Sequence, residues 1–463
     1  MMKAIKKFLY IIFGLIIAVS AQAGTNSIRI SNEVIPLDIN GFPARPKPLL
    51  ELGDPLLDVG PINKGFTLPT GAVWQPSFIA WGTYRAAVQS YFDGVDDVSE
   101  FAHRFDLHGN LYLTQTERVF ASVRFLDTDG EFSSYTFNAP NDEEGYNEEM
   151  DFKLESLFFE GDFGELFPFL DREDKYGLDF ALTAGRQNLS FQDGVLINDN
   201  IDAVGISKLN LKPPKAVNLR TAFVWGGNEL NRTNMAQDDD SRLYGLFNEV
   251  DFRKTTIEFD AIYLDGDTDS GDGFFGGIGA TQRLGEFNTT FRVLGSAPLG
   301  NETIHNSSGI LLFGEFSWTP KGTHNHVYLT GFRGIDSFRS ASRGPTEGGP
   351  LGPAGILFEA VGLGRFPAPL GNDADDAVGG ALGYQMFFNQ SRKQLTLELG
   401  GRYAIEEVGQ RALGPGVRYQ MAVGQRTVLR LDGYALYDDK RKNDVAAKEE
   451  YDLGGRIEVL VKF

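Results

Sequence analysis

From Ser77 onward, apolar and polar residues alternate in short runs separated by turn residues. Side chains of an extended strand point alternately to opposite faces, so such a run asks for one greasy wall and one wet wall. In 101–115, Phe101, Phe105, Leu107, Leu111 and Leu113 oppose Arg104, Asp106, His108 and Asn110. In 255–264, Ile257, Phe259, Ala261 and Tyr263 oppose Glu258 and Asp260. In 412–423, Val417, Tyr419, Met421 and Val423 oppose Arg418 and Gln420. At the end of the chain, Tyr451, Leu453, Gly455, Ile457, Val459, Val461 and Phe463 share one face; Asp452, Gly454, Arg456, Glu458 and Lys462 lie on the other. The pattern predicts about eighteen strands, near 77–90, 101–115, 118–127, 151–160, 177–187, 201–209, 215–225, 241–252 and 255–264 in the first half. The second half holds 274–283, 287–295, 308–318, 324–334, 378–388, 394–404, 412–423, 427–437 and 451–463. The sixth, eighth and thirteenth are ambiguous in phase, and no convincing amphipathic helix competes.

Connection lengths decide between a soluble sandwich and a membrane barrel. Short links fall near Thr116-Glu117, Lys212-Pro213-Pro214, Arg253-Lys254, Gly285, Lys321-Gly322, Ser391-Arg392 and Gly424-Gln425. Between them lie long links, acidic or Gly-rich: 128–150, 226–240, 265–273, 296–307, 335–377 and 438–450. Bacterial outer-membrane barrels alternate short periplasmic turns with long outer loops. A soluble all-β protein has no reason to do so. Residues 161–176 break the alternation and read as a periplasmic insertion. The expected fold is all-β: a single-chain transmembrane antiparallel β-barrel over 77–463, with Phe463 at the periplasmic rim. A terminal aromatic there resembles the signal read by the barrel-assembly machinery.

Composition sharpens this picture. Lys3, Lys6 and Lys7, the apolar run Phe8 to Val19 and Ala21-Gln22-Ala23 mark 1–23 as a cleaved secretory signal peptide. No later stretch is apolar enough for a helical span, so a membrane location requires a barrel. In 24–76, Pro36, Pro43, Pro46, Pro48, Pro55, Pro61, Pro69 and Pro76 break any ladder, leaving a periplasmic leader or a segment docked in the lumen through Leu49, Leu50, Leu56 and Leu57. The net charge of −20 argues against nucleic acid as a partner. The absence of cysteine excludes disulfides and thiolate metal sites. Lipid and lipopolysaccharide of a Gram-negative outer membrane are the expected surroundings.

Mapped onto a closed wall, Arg85, Arg104 and Arg124 of the first three strands and Arg402, Arg418, Arg430 and Arg456 of the last four face the lumen as one contiguous basic stretch. Arg220 and Arg292 are further lumen candidates. Asp106, Glu398, Asp432 and Glu458 lie among the first group, while Glu258, Asp260 and Glu315 face them across the pore. Two readings stay open: an anion-attracting wall, since fixed charge sets pore selectivity, or arginines and carboxylates that pair to hold a wet lumen together.

Residues Gly185 to Ala203 (GRQNLSFQDGVLINDNIDA) carry Gly185-Arg186-Gln187, Asp193-Gly194, Asp199 and Ile201-Asp202-Ala203. This pattern resembles the alginate-export family of outer-membrane barrels. The resemblance implies an electropositive pore for an acidic polysaccharide, with Arg186 as a lumen cation and Asp193, Asp199 and Asp202 ordering the local loop. Alternation alone puts Arg186 in phase with outward Leu178, Phe180 and Leu182, so a bulge at Gly185 or a place at the rim is needed.

The remaining candidates are weaker. Asp265, Asp267 and Asp269 in DGDTDSGDG are the best hard-cation ligands, so a structural Ca²⁺ in an outer loop is the one cofactor in view. The EF-hand pattern fails because the twelfth position is Gly276 rather than Glu. Loop 335–377, with Arg339, Arg343 and Arg365, either folds inward to narrow the channel or stays outside. His324 and His326 share a face without a third ligand, and no catalytic residue can be assigned. The expected function is therefore a channel for anionic saccharide or polysaccharide. The alternative is a general or small-solute porin; a barrel-borne hydrolase and an adhesin come behind both.

Overall fold

A computed structural model describes residues 46–463 except 55–62, 129, 141–143, 172, 174, 233–236, 267–270, 304, 406–408 and 440–448. The signal segment 1–23, Leu56, Leu57, Asp267 and Asp269 thus lie outside the described residues. Within these, eighteen long strands form one closed antiparallel barrel. They are β1 Ser77–Phe92, β2 Asp97–Tyr112, β3 Arg118–Phe125, β4 Phe152–Asp162, β5 Ala181–Phe191 and β6 Ile197–Leu211. There follow β7 Asn218–Gly227, β8 Arg242–Asp251, β9 Thr255–Asp265, β10 Gly273–Leu284, β11 Phe287–Pro298 and β12 Gly309–Trp318. The last are β13 His326–Phe338, β14 Ala377–Phe388, β15 Lys393–Ala404, β16 Arg411–Val423, β17 Thr427–Asp438 and β18 Tyr451–Lys462.

Each strand pairs with its neighbours in sequence, and β18 closes on β1 from Leu453↔Phe92 to Lys462↔Thr83. The seam ends in a reciprocal pair: Phe463 N–H donates to the Gly82 carbonyl at 3.0 Å and Gly82 N–H to the Phe463 carbonyl at 2.9 Å. Gly82 has no side chain because a Cβ there would sit 2.6 Å from the Phe463 ring. That ring stacks on Phe105 with centroids 5.6 Å apart.

The alternation becomes two faces. Val88, Trp225, Phe259, Ile278, Phe291, Leu312, Leu382, Leu397 and Ile457 are exposed on the outside, an apolar belt that water would penalise and a bilayer accepts. Short links join the strands at one end, while the expected exception at 161–176 contains the helix Phe163–Leu166, capped by Asp162. At the same end Leu50–Leu52 adds a short strand to β1, pairing Leu50 with Ala80 and Leu52 with Phe78.

Two segments leave the wall and fill its upper lumen. β5 pairs with β4 only as far as Arg186↔Leu157, and β6 pairs with β7 only from Ala203↔Gly226. Beyond those points 187–202 is a hairpin paired with itself, Gln187↔Ile201 through Phe191↔Ile197. Val195, Leu196, Ile197 and Ile201 are fully buried, as are Leu243, Ile262, Leu264, Phe275 and Leu311 on the wall around them. Strands β8 to β13 are therefore apolar on both faces in their upper halves, and the same explains the ambiguous phase of β6, β8 and β13 in the sequence. The second segment is the link between β13 and β14. Its Leu351, Leu357, Phe358, Leu363 and Leu370 are buried, so of the two readings of this loop the inward one holds. Leu357 and Leu370 lie over wall glycines: a Cβ at Gly416 would come within 2.7 Å of Leu357, and one at Gly400 within 2.9 Å of both.

Candidate channel lumen and its constriction

Lumen-facing positions from β16 round through the seam to β4 carry a belt of alternating charge. Arg418 donates to Asp432 at 2.6 Å, and Asp432 accepts from Arg456 at 3.2 Å. Glu458 takes Arg456 at 2.5 Å, Arg85 at 2.6 Å and Arg430 at 3.7 Å. Asp106 bridges Arg104 and Arg124, each at 2.9 Å, and Arg124 continues to Asp127 and Glu155 at 3.0 and 3.3 Å. Register produces this belt, because Arg456 stands opposite Asp432 and Arg124 opposite Asp106. Buried guanidinium and carboxylate groups in such contact neutralise each other at short range.

The donors left over go to the loop. Arg85 reaches the carbonyls of Gly362 and Val361 at 3.1 and 2.8 Å, Arg104 that of Gly362 at 3.1 Å, and Gln89 that of Leu363 at 3.1 Å. Arg418 also binds the Glu359 carboxylate. Glu398 accepts the backbone N–H groups of Ile356 and Leu357, both at 2.9 Å. Of the two readings left open, the contacts are those of paired charges: these arginines face carboxylates and loop carbonyls, because neighbouring strands put an acid within reach of each.

The other predicted residues are dispersed. Arg402 lies on β15 beside Asp373 and Asp375. Arg220 pairs with Glu249 and Asp251 near the short-turn end. Gly185, at φ +121°, bends β5, and Arg186 at that bend holds Asp202, Glu229 and the Leu154 carbonyl at 2.9, 2.9 and 3.1 Å. Arg186 is therefore a clamp at the root of the hairpin. Gln187 donates to the Ala203 carbonyl across the hairpin at 3.1 Å. At the tip, Gln192, Asp193 and Gly194 all take left-handed backbone, which turns the hairpin onto the far wall. There Asp193 pairs with Arg292, Arg292 with Glu315 at 3.4 Å, and Gln192 donates to Asp260 at 2.7 Å. Asp265 ends β9 opposite Arg242; Asp267 and Asp269, outside the described residues, leave the Ca²⁺ expectation where the sequence put it.

Asp199 is the hub between the inserted segments. It accepts Ser342 Oγ at 2.5 Å, the Asn231 N–H at 2.8 Å and Asn231 Nδ2 at 3.0 Å, joining the hairpin to the loops after β7 and β13. Among the cavities that remain, two flank Arg343. The outer, of ≈ 180 Å³, is lined by Asn231, Arg232, Arg339, Arg343 and Asp373 among others. The inner, of ≈ 700 Å³, opens among Asn288, His326, Gln385 and Gln394 near the short-turn end and includes Glu315, Glu359 and Arg418. Burial pushes the Arg343 guanidinium down to about 10 against the pull of Glu347, Asp199 and Asp373, which leaves it cationic at neutral pH. Reading strands alone missed Asn231, Ser342 and Glu359; the apolar triplet Val195-Leu196-Ile197 at a supposed rim was the available signal.

No protein-family model matches the chain, and no curated protein matches its sequence. Solved structures do. OccAB3 of Acinetobacter baumannii aligns at TM-score 0.54 with 12% identity, over 83% of this chain and 99% of that one. OccK5 (OpdH) of Pseudomonas aeruginosa aligns at 0.52 with 12% identity, over 83% and 98%. OpdK of the same organism, solved with vanillate, aligns at 0.54 with 12% identity, over 83% and 98%. The fold is that of an outer-membrane porin. At these identities the likeness concerns the fold, an outer-membrane porin barrel, and does not single out the alginate-export family suggested by the Gly185–Ala203 motif. Together with the apolar belt it places the barrel in the outer membrane of a Gram-negative cell.

Proposed function

We propose that this porin barrel passes small solutes across the outer membrane, without covalent chemistry. The observation that carries the reading is the lumen itself: hairpin 187–202 and loop 339–376 cross it and leave cavities of ≈ 180 and ≈ 700 Å³. Such spaces suit small molecules better than an extended polysaccharide, so the general or small-solute reading stands ahead of alginate-like polymer. An anionic saccharide unit is the second candidate, favoured by Arg232, Arg339 and Arg343 against Asp373 in the outer cavity. The full-length barrel in planar bilayers tests both. Discrete currents whose amplitude while open is reduced by a small carboxylate such as vanillate, which OpdK was solved with, support the first; the same reduction by uronate oligomers at lower concentration favours the second. A reconstituted barrel that never conducts defeats the proposal.

A further inference from the structure

The outer and inner cavities share one lining side chain, Arg343. Its guanidinium donates to the carbonyl of Gly194 at the hairpin tip and to the carbonyls of Gly348 and Glu347 in the loop. It therefore staples the two inserted segments together at the point where the cavities meet. Its bonding differs from that of the belt. Arg85, Arg104, Arg124, Arg418 and Arg456 each meet a carboxylate, whereas the three acceptors of Arg343 are neutral carbonyls. A planar guanidinium binds an oxyanion more strongly than it binds peptide carbonyls, since both partners are charged and two parallel bonds form.

The surroundings differ on the two sides. In the outer cavity Arg343 lies with Arg232, which donates to the His305 carbonyl at 3.3 Å, Arg339, which pairs with Asp375, and Asp373. In the inner cavity Asp193 and Glu315 are held by Arg292 and Glu359 by Arg418, so the other cations on that side are already engaged by carboxylates. Building on the channel reading, we propose that Arg343 is a ligand-operated latch, opened by the carboxylate or phosphate oxyanion of a small solute in the outer cavity. The oxyanion takes the guanidinium, the Gly194 and Gly348 carbonyls lose their common donor, and hairpin and loop part. A ligand shifts such an equilibrium only by binding one state better; here the closed state commits three of the five Arg343 N–H donors to carbonyls, and the open state offers the whole fork.

The test uses the full chain in planar bilayers, with acetate or inorganic phosphate added at constant ionic strength on the long-loop side. Open probability of the wild type is expected to rise about fivefold or more with at least one of them. Arg343→Gln, which keeps hydrogen-bonding capacity without the charge, is expected to lose that response. Arg343→Lys, a cation without the fork, keeps a weaker one. Response to acetate alone identifies a carboxylate ligand and response to phosphate alone a phosphate ligand; both uphold the latch. A conducting wild type indifferent to both anions overturns it, whether or not the variants fold. So does an undiminished response in Arg343→Gln. Silence of wild type and variants under every condition instead defeats the channel reading, and the latch with it.

Discussion

The two sides of the lumen are closed by different physics. From β16 through the seam to β4, the loop rests on a charged belt whose bonds run from Arg85, Arg104 and Gln89 to main-chain carbonyls. From β8 to β13, the hairpin rests on Leu243, Ile262, Leu264 and Phe275, all fully buried. Apolar packing is insensitive to salt and fails only by creating a cavity or burying a charge. Directed polar contacts between partly hydrated groups are weaker net and can be traded for other partners. The loop buries Leu357, Phe358 and Leu370 as well, so what sets it apart is the directed bonds it adds, which other partners can replace; in that sense the hairpin side is the fixed jaw and the loop side the movable one.

Breaking the fixed jaw has the largest expected effect. Leu196→Asp puts a carboxylate into a fully buried apolar site and costs about 4 kcal/mol or more. The hairpin leaves the lumen, and single-channel conductance in planar bilayers should rise severalfold. Asp199→Ala is next: it strips acceptors from Ser342 and Asn231 at about 3 kcal/mol. Larger and noisier conductance is expected, with the barrel's heat-modifiable gel mobility unchanged. Gly416→Leu collides with Leu357 and should lift the loop alone, at about 1–3 kcal/mol. Protease accessibility of 339–376 would rise while that of 187–202 stayed constant; equal exposure of both would erase the two-jaw distinction. Arg220→Gln marks the lower bound. Its guanidinium, paired with Glu249 and Asp251 but 40% exposed, contributes under about 1 kcal/mol, so conductance and thermal stability should not change measurably.

The barrel was legible because lipid imposes a period of two on every strand and leaves loop lengths to betray the two ends. All eighteen strands fall where alternation puts them, and β18 closes on β1. The lumen was less legible for one physical reason. A lumen wall packed against inserted chain is apolar, just as a lipid-facing wall is, so the buried Leu243 and Phe247 and the outward Tyr244 and Leu246 of β8 carry no label saying which side is lipid. The charged residues posed the complementary difficulty. Sequence placed Arg418, Arg456, Arg85 and Arg124 on one wall, but only the pairing of strands shows each beside a carboxylate. The hairpin at 187–202 fell in the link between two expected strands, the first ending at 187 and the next starting at 201; the alternation of Leu189 with Phe191 is the sign that the first strand runs on.

That hairpin is not tethered as a loop is. Its two arms are the wall strands β5 and β6 continued inward, so it spans as a propped beam does, built in at the root and rested at the tip, where Asp193 meets Arg292 and Gln192 meets Asp260. Load applied at the Gly194 tip is shared between those props and the root, where the backbone turns at Gly185 and Arg186 ties its own arm to Asp202 of the other and to Glu229. A solute pressing on the tip would therefore meet a stiffness set at both ends of the hairpin, partly by Gly185 and Arg186, far along the arm from the residues it touches.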